Sequence, residues 1–366
     1  MDHRPQPAVS VLMPVYNGEA FLAEAVESIL GQTFTDFEFV IVDDGSSDRT
    51  AQMIEEYVAR DGRIRAVHQT ENLGLIATLN RAIPGCRGDY IARMDADDHC
   101  DARRLERQVD HLTRNPDVGV LGTTYRFIDE RGRELPDGRQ LPTDPASLRW
   151  RLFFECCIAH ATVLVRRDVY QSLIPYDKSF FAAEDYELWL RAAGRVRMEN
   201  LESVLYYVRR HAASVTRGHW QTTGRNSERA VTVALERVLG REVGSEVSEI
   251  FLAPNHIVER SYSTEAVLRS VATLHDLAET FLSTSDLHES ERAYIRRDAA
   301  KTLSYMVAAC LPREPRLGLK ILRESPLLPA HLALKWLAMG AARRARWEIV
   351  RRRWQRQIDA DGEKDG

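Results

Sequence analysis

The chain has 366 residues, of which 44% are hydrophobic and 28% are charged, and its formal net charge is −4 at pH 7. This composition is ordinary for a soluble globular protein that is long enough for one large domain and a smaller one. The small net charge excludes a general electrostatic argument for nucleic-acid binding.

The cysteines and the apolar segments indicate the cellular compartment of the protein. Five cysteines are present, and they form no C-x-x-C pair and no metal-binding spacing. An odd, scattered set of this kind favours free thiols in a reducing compartment. The N-terminal residues lack the apolar core of a signal peptide, and the sequence has no run of about 18 apolar residues that could span a bilayer. We therefore expect a cytoplasmic protein.

The first third of the chain alternates short apolar segments with longer amphipathic ones. Strands are predicted at residues 9–15, 37–44, 64–68, 89–95 and 118–123, and helices at residues 20–32, 47–62, 74–83 and 101–115. The second helix has a start signal in Ser47 or Asp48 and a stop signal in Gly62. This alternation predicts an α/β fold with a mainly parallel sheet flanked by helices.

The later part of the chain changes character near residue 220. Strands are predicted at residues 160–170 and 204–211, a helix at residues 183–194, and mainly helices from Trp220 onward. We therefore predict a first domain of residues 1–218 and a helical C-terminal region of residues 219–366.

The segment 341–357 is strongly basic, with seven arginines against the single acid Glu348 and with tryptophans between them. A basic amphipathic stretch of this kind can lie on an anionic membrane surface. It can equally be a solvated helix that packs on the first domain. Nucleic-acid binding by these arginines is not expected.

Polar residues follow three of the predicted strands. Pro14 to Asn17 follow the first strand, Asp43 to Ser46 the second, and Asp95 to Asp98 the fourth. Because ligands of such sheets bind outside the carboxyl ends of the strands, we expect these residues to form one site. The sequence has no G-x-G-x-x-G motif and no P-loop lysine, so a nucleotide would be held by other groups. Carboxylates can accept a hydrogen bond from a base or hold Mg²⁺ or Mn²⁺ against a diphosphate.

The segments "VSVLMPVYNGEAFLAEAVESILGQTFTDFEFVIVDDGSSDRT", "NLGLIATLNRAI" and "GDYIARMDADD" occur in this order. Over roughly residues 9–216 the chain thereby resembles the family 2 glycosyltransferases, which have the Rossmann-like GT-A fold. The resemblance implies a nucleotide-sugar donor, a divalent cation (Mn²⁺ or Mg²⁺) and transfer with inversion to a hydroxyl acceptor.

The same resemblance assigns residues to the donor. Pro14 and Tyr16 match the loop that lines the nucleoside pocket, and Asp44 matches the acid that reads the uracil edge in enzymes that use UDP-sugars. Asn72 matches a loop near the donor, although a plain turn explains it nearly as well. Asp43 could equally be a turn residue, and an Asx-type turn followed by a helix cap is the alternative for both acids.

Asp95 and Asp97 match the family's Asp-x-Asp motif. The resemblance implies that Asp95 touches sugar or ribose and that Asp97 ligates the cation, with Asp98 as an alternative ligand. The structural alternative is an acidic turn that caps the next helix. Arg104 matches a recurring arginine after the motif and is expected on the donor side, with surface pairing to Glu106 as the alternative.

The remaining assignments concern the acceptor and the closing segment. Asp185 matches the family's general base and Glu184 its neighbour on the acceptor side, while ordinary helix N-terminal charge is the alternative. His211 matches a histidine that touches the metal or a phosphate, with an interface histidine on a loop as the alternative. His160 is expected on the acceptor side, although a core histidine explains it about as well.

The chain departs from the processive members of the family, which carry Q-x-x-R-W and membrane spans. We therefore predict non-processive addition of one or a few sugars to a glycan or a lipid-linked glycan, in surface polysaccharide or glycoconjugate synthesis. A nucleotidyltransferase is a rival function, but it would need a basic glycine-rich loop after the first strand. A non-catalytic sugar-binding relative is another, but it would be expected to have lost one of the acids.

Overall fold

The computed structural model describes residues 6–138, 141–211, 219–253, 262–284, 286–310, 314–325 and 327. The chain divides into two compact units, residues 1–230 and 231–366. The boundary that we predict after residue 218 stays a prediction. The basic segment 341–357 lies outside the described residues.

The first unit holds an α/β arrangement in which strands and helices alternate over the first 114 residues. Its strands are β1 (Val9–Val15), β2 (Phe37–Asp43), β3 (Ile64–His68), β4 (Tyr90–Arg93), β5 (His99–Cys100), β6 (Val118–Ile128), β7 (Glu134–Gly138), β8 (Leu164–Arg166) and β9 (Arg197–Arg209). Its helices are α1 (Leu22–Leu30), α2 (Thr50–Arg60), α3 (Leu75–Ala82), α4 (Arg104–Arg114), α5 (Pro145–Arg151), α6 (Arg167–Leu173) and α7 (Glu184–Ala192).

The strands form one sheet in the order β3-β2-β1-β4-β8-β6-β9-β5, with β7 paired to β6. The four strands β3, β2, β1 and β4 are parallel, which confirms the predicted α/β fold class. Beyond β4 the sheet is mixed, because β8 pairs antiparallel with both β4 and β6. The apolar pattern predicts that 118–123 is a strand, but it contains no information on which strand becomes its neighbour.

The predicted strand at 160–170 is correct only at its centre, because His160–Thr162 form a short 3-10 helix. Only Leu164–Arg166 forms a strand, and residues 167–173 form α6. Asp168 lies in the first turn of α6, where its negative charge is favourable near the helix N-terminus. The helix at 183–194 is confirmed as α7, although it is shorter at both ends.

The core lies on both faces of the parallel strands. Every residue of β1 and β2 is buried, as expected for central strands covered by helices on both sides. Helix α1 contributes Leu22, Val26 and Ile29, which are all completely buried. The helix start predicted near Asp48 is confirmed, because α2 begins at Thr50 and the Asp48 carboxylate accepts a hydrogen bond from the Thr50 N–H at 3.0 Å.

The second unit is helical in its described part. Helix α8 (Trp220–Leu239) begins in the first unit, and it is followed by α9 (Ser245–Leu252), α10 (Thr264–Leu282), α11 (Glu289–Cys310) and α12 (Pro315–Glu324). Ser263 is the N-cap of α10, and its hydroxyl accepts a hydrogen bond from the Ala266 N–H at 3.1 Å. Among the described helices, none is both long and apolar enough to cross a membrane.

Candidate active site

The loops that follow β1, β2 and β4 meet at one edge of the sheet. Strand β1 lies between β2 and β4 and is parallel to both, so the carboxyl ends of the three strands are neighbours. The loops after β1 and β2 are tied together, because the Asn17 N–H donates to the Ser46 hydroxyl and the Gly18 N–H to the Thr50 hydroxyl. The predicted convergence of the three polar clusters is confirmed.

Asp44 organises the loop after β3. Its buried carboxylate accepts hydrogen bonds from the side chain of Gln69 at 3.0 Å and from the N–H groups of Leu73 and Gly74 at 2.9 Å each. Two of these bonds reach Oδ1 and one reaches Oδ2. A carboxylate has about four acceptor positions, so the donors among the described residues leave one position on Oδ2 unused.

Gly45 allows this loop to lie so close to Asp44. Its φ is +74°, a conformation that L side chains rarely adopt. A Cβ at this position would lie 2.5 Å from the carbonyl carbon of Glu71 and 2.8 Å from the nitrogen of Asn72. Asn72 itself is exposed, and its side-chain oxygen accepts a hydrogen bond from the Gly74 N–H at 3.0 Å.

The other residues of the predicted nucleoside pocket differ in exposure. Pro14 is buried in β1, whereas the Tyr16 side chain just beyond the strand is 50% exposed. Asp43 is the last residue of β2, and its carboxylate accepts a hydrogen bond from the Ser46 N–H at 3.0 Å and lies 3.2 Å from Nδ1 of His68. Tyr16 therefore has the most exposed side chain of this set, whereas Asp44 is buried.

Asp95, Asp97 and Asp98 form a compact acidic cluster after β4. One carboxylate oxygen from each lies within 4.8 Å of the others. Burial and the charges of the neighbouring acids raise the pKa of the Asp98 carboxyl well above its usual range. The pKa of Asp95 is also raised, chiefly by burial and against the opposing charge of Arg93.

Strand β9 fixes the shape of the acidic cluster. The N–H of Arg209 donates to Oδ1 of Asp98 at 2.7 Å, and its Nε donates to the carbonyl oxygen of Asp97 at 2.8 Å. Nε2 of His211 lies 2.9 Å from Oδ2 of Asp97. Hard oxygen ligands beside an imidazole suit Mg²⁺ or Mn²⁺, and a divalent cation would offset the mutual repulsion of the acids. The residues present therefore fit such a cation.

Asp185 and Glu184 form the first turn of α7. The backbone turns sharply before them, because Ala182 has a φ of +64°. Asp185 is half-buried and its Oδ1 accepts a hydrogen bond from the Tyr186 N–H at 2.7 Å. Burial raises the pKa of Asp185, and the negative charge of Asp95 adds to this rise.

Glu184 is the more enclosed of the two carboxylates. Its side chain is buried, and its Oε2 has no hydrogen-bond partner among the described residues. Burial and the nearby charge of Asp185 raise the pKa of Glu184 to about 7. Its prediction as an acceptor-side residue stays a prediction, as does that of Asp185 as the base.

His160 is buried rather than exposed. It is 9% exposed, and its Nε2 lies 2.8 Å from the hydroxyl of Tyr176, which in turn contacts the hydroxyl of Tyr170. Burial and the charge of Arg93 hold the pKa of His160 well below its usual range. The imidazole is therefore neutral at pH 7, and its acceptor-side role stays a prediction.

Arg104 does not fit the predicted donor contact. It is completely buried, and its guanidinium donates to the carbonyl oxygen of Arg93 at 2.8 Å and to the side chain of Gln108 at 3.2 Å. It also lies over the ring of Tyr206. The helical face of α4 that carries Arg104 points into the core, so this arginine supports the end of β4 instead of meeting a ligand.

Arg93 is a residue that the sequence-based prediction misses. It is the last residue of β4, only 2% exposed, and its guanidinium contacts the carboxylate of Asp95. An arginine in an otherwise apolar strand is unusual, because burying an unpaired charge is costly. This position in "YIARMDADD" is the signal that could have indicated it.

Comparison with known proteins places the chain in a family. The model of "Glycosyl transferase family 2" matches residues 10–174. The O-antigen biosynthesis glycosyltransferase WbnJ of Escherichia coli is 32% identical over 210 residues, which cover 56% of this chain and 81% of that protein. The chain belongs to the family 2 glycosyltransferases. An uncharacterized glycosyltransferase of Methanocaldococcus jannaschii, MJ1057, is 36% identical over 188 residues, which cover 51% of this chain and 64% of that protein.

The fold of this family 2 glycosyltransferase is of the GT-A type. The structure of Staphylococcus aureus TarS 1–349 in complex with UDP-GlcNAc superposes on this chain with a TM-score of 0.54 at 18% sequence identity. The superposition covers 85% of this chain and 90% of the TarS chain. The matched range of the family model includes Asp44 and the acidic cluster, whereas Asp185 and His211 lie beyond it.

Proposed function

We propose that this glycosyltransferase moves a sugar from a nucleoside diphosphate sugar, with uridine as the nucleoside, to a hydroxyl acceptor with inversion. The observation that carries the proposal is that Asp44 and the compact acidic cluster lie at one end of the sheet. Asp44 follows β2 and the cluster follows β4, and both strands are parallel neighbours of β1.

The nucleoside would be held by Tyr16 and Asp44. The exposed ring of Tyr16 offers a stacking surface for a base. The remaining acceptor position on Oδ2 of Asp44 suits the N–H of uracil, while the other positions already hold the loop at Gln69 to Gly74. TarS, which shares the fold, has been solved with UDP-GlcNAc bound.

A divalent cation would be held by Asp97, Asp98 and His211, with Asp95 directed to sugar or ribose. When bound, the cation supplies positive charge that stabilises the leaving diphosphate. Arg209 keeps these ligands in place through its contacts to Asp97 and Asp98.

Asp185 would take the proton of the acceptor hydroxyl as that oxygen attacks the sugar. A carboxylate whose pKa is raised toward neutrality is a better base near pH 7 than an exposed one, provided that it remains ionised. Inversion follows if the base approaches the sugar on the face opposite to the diphosphate.

The acceptor and the cellular context are further parts of the proposal. We propose non-processive transfer to a glycan or a lipid-linked glycan in surface polysaccharide or glycoconjugate synthesis, a field to which WbnJ belongs by its name. A cytoplasmic location is supported by the odd, scattered set of five cysteines, which favours a reducing compartment. Peripheral membrane contact by residues 341–357 remains a proposal from the sequence.

Calorimetric titration tests the donor and the cation together. We expect UDP to bind in the presence of Mn²⁺ and to bind much more weakly in EDTA. Asp97→Asn should weaken both Mn²⁺ and UDP binding, because it removes a ligand charge. The matched control is Asp110→Asn, which changes an exposed carboxylate that pairs with Arg114 on α4. Equal UDP affinity with Mn²⁺ and with EDTA would refute the role of the cation.

A further inference from the structure

The turn that leads into α7 carries an exposed aromatic side chain. Phe181 is 41% exposed, and it is followed by Ala182, whose φ is +64°. Because Asp185 comes only four positions after Phe181, the Cα atoms of the two residues are at most about 14 Å apart. The ring of Phe181 is therefore within reach of a substrate that extends over a few sugar rings from Asp185.

The first turns of α8 hold this turn in place, and all of the residues involved belong to the first unit. The side chain of Asn226 donates a hydrogen bond to the carbonyl oxygen of Phe181 at 2.7 Å, and the guanidinium of Arg229 donates to the carbonyl oxygen of Ser179 at 3.3 Å. The same guanidinium lies 3.9 Å from the ring centre of Phe180, which is buried. Phe181 is thus an exposed ring on an anchored backbone.

Two further rings extend this surface. The ring of His219 contacts that of Phe181 edge-on, with the ring centroids 5.0 Å apart and the ring planes at 78°. Trp220 is the next residue along the chain, and at 68% it is the most exposed large apolar side chain among the described residues. Single exposed apolar residues are common on protein surfaces, whereas a group of them marks a binding surface. We call Phe181, His219 and Trp220 the aromatic patch.

The chemistry of the aromatic patch fits a sugar ring. The C–H groups on one face of a pyranose can pack against the aromatic rings, while its hydroxyl groups can accept from the indole N–H of Trp220 and bond to the imidazole of His219. A lipid tail offers the same rings an apolar surface but leaves the two polar groups without a partner, which is costly. The position of Phe181 just before α7 also favours a sugar that is bound beside Asp185.

We propose that the aromatic patch is an acceptor subsite, which binds a sugar ring of the acceptor glycan. The inference rests on the proposed function, because it requires a glycan acceptor whose hydroxyl reaches Asp185. Stacking of one ring on the patch would hold the reacting hydroxyl of the acceptor near the base and thereby reduce the entropic cost of the reaction. A disaccharide should therefore be a better acceptor than either of its component sugars alone.

The test is the acceptor dependence of UDP release, measured with a panel of UDP-sugars at saturating Mn²⁺. The acceptors are methyl glycosides of hexoses, N-acetylhexosamines and deoxyhexoses, together with disaccharides of the same sugars. Phe181→Ala and Trp220→Ala remove the rings, whereas Phe181→Tyr and Trp220→Phe retain them. Val233→Ala is the matched control, since Val233 is an apolar residue of α8 that is 42% exposed. Saturation-transfer NMR with the same disaccharides reports glycan binding without turnover.

We expect the acceptor KM to rise about tenfold in each alanine variant, which corresponds to the loss of roughly 1.4 kcal/mol from one stacked ring. The kcat and the donor KM should be unchanged, because the patch binds the acceptor away from the reacting atoms. The NMR contacts of the disaccharides should weaken in parallel with the rise in KM. Phe181→Tyr, Trp220→Phe and Val233→Ala should keep the wild-type acceptor KM.

Three results would overturn the inference. The first is an unchanged acceptor KM and unchanged NMR contacts in both alanine variants, and the second is a wild-type protein that binds no glycan of the panel. The third is a patch that binds lipid, seen as co-sedimentation of the wild type with phosphatidylcholine vesicles that both alanine variants lose while glycan binding stays intact. Failure of the proposed function is distinguishable, since the wild type would then release no UDP from any donor, whatever the NMR shows of glycan binding.

Discussion

Replacement of Asp185 by asparagine separates proton transfer from the rest of the reaction. Asparagine has nearly the same shape, and its Oδ1 can still accept the hydrogen bond from the Tyr186 N–H that the wild-type carboxylate accepts at 2.7 Å. The start of α7 should therefore be preserved. What asparagine cannot do is take the proton from the attacking hydroxyl.

The expected loss in kcat is on the order of 10²–10⁴, which is the usual contribution of a positioned acid or base. This loss corresponds to roughly 3–5 kcal/mol of activation free energy. UDP affinity should change little, because the base faces the acceptor and the cation ligands are retained. A selective loss of kcat at unchanged donor affinity is the signature of a general base.

Stability should change little, because two effects oppose each other. The Asp185 charge near the helix N-terminus is worth about 0.3–1 kcal/mol, and asparagine loses it. The raised pKa of Asp185 shows that burial disfavours the charged carboxylate, and asparagine removes this cost. The stability contributed by the protonated carboxyl is present below the pKa of the unfolded state and is lost as the pH rises through the pKa of the folded state. The free energy of unfolding of Asp185→Asn should therefore increase relative to that of the wild type at alkaline pH.

The assay compares UDP release and UDP binding in Asp185→Asn with those in Asp177→Asn. Asp177 is exposed, lies in the preceding segment and also accepts a local backbone hydrogen bond, from the Ser179 N–H. The control should keep wild-type turnover. Near-normal turnover of Asp185→Asn, with a normal melting curve, would refute the assignment of Asp185 as the base.

Three further predictions concern stability and membrane contact. The pKa of Glu184 is about 7 instead of 4.5, so the stability contributed by its protonated form is lost as the pH rises between these values. In urea unfolding, the free energy of unfolding of Glu184→Gln should therefore gain up to about 3 kcal/mol relative to the wild type between pH 5 and pH 8. An equal difference at both pH values would contradict this prediction. Gly45→Ala should lower the free energy of unfolding by about 1–3 kcal/mol and weaken UDP binding, because the added Cβ meets the backbone of Asn72. The control Gly62→Ala, whose added Cβ has nothing within 4 Å, should stay within about 0.5 kcal/mol of the wild type. Equal melting temperatures of the two variants would refute the argument. Deletion of residues 341–357 should reduce co-sedimentation with anionic liposomes at low salt, because each basic residue near the lipid contributes about 1 kcal/mol of binding free energy. Unchanged co-sedimentation would exclude the membrane contact.

The sequence determined those features that depend on neighbouring residues. The periodic spacing of apolar residues was sufficient to predict the parallel strands β1 to β4 and the helices between them. Once those strands are parallel and adjacent, the polar residues after β1, β2 and β4 must share one edge, and the structure places them there. The acidic cluster could therefore be located without any tertiary information.

Tertiary structure decided the features that depend on contacts between distant residues. Arg209 meets Asp98 across 111 positions of the chain, and no local pattern encodes that pairing. The same is true of β8, which pairs antiparallel with β4 although the two are far apart in sequence. Sequence could show that Arg104 lies on a helix, but the direction of that face follows from how α4 packs on the sheet. Burial by long-range packing, and not residue type, made Arg104 a core residue and placed the buried guanidinium of Arg93 against Asp95.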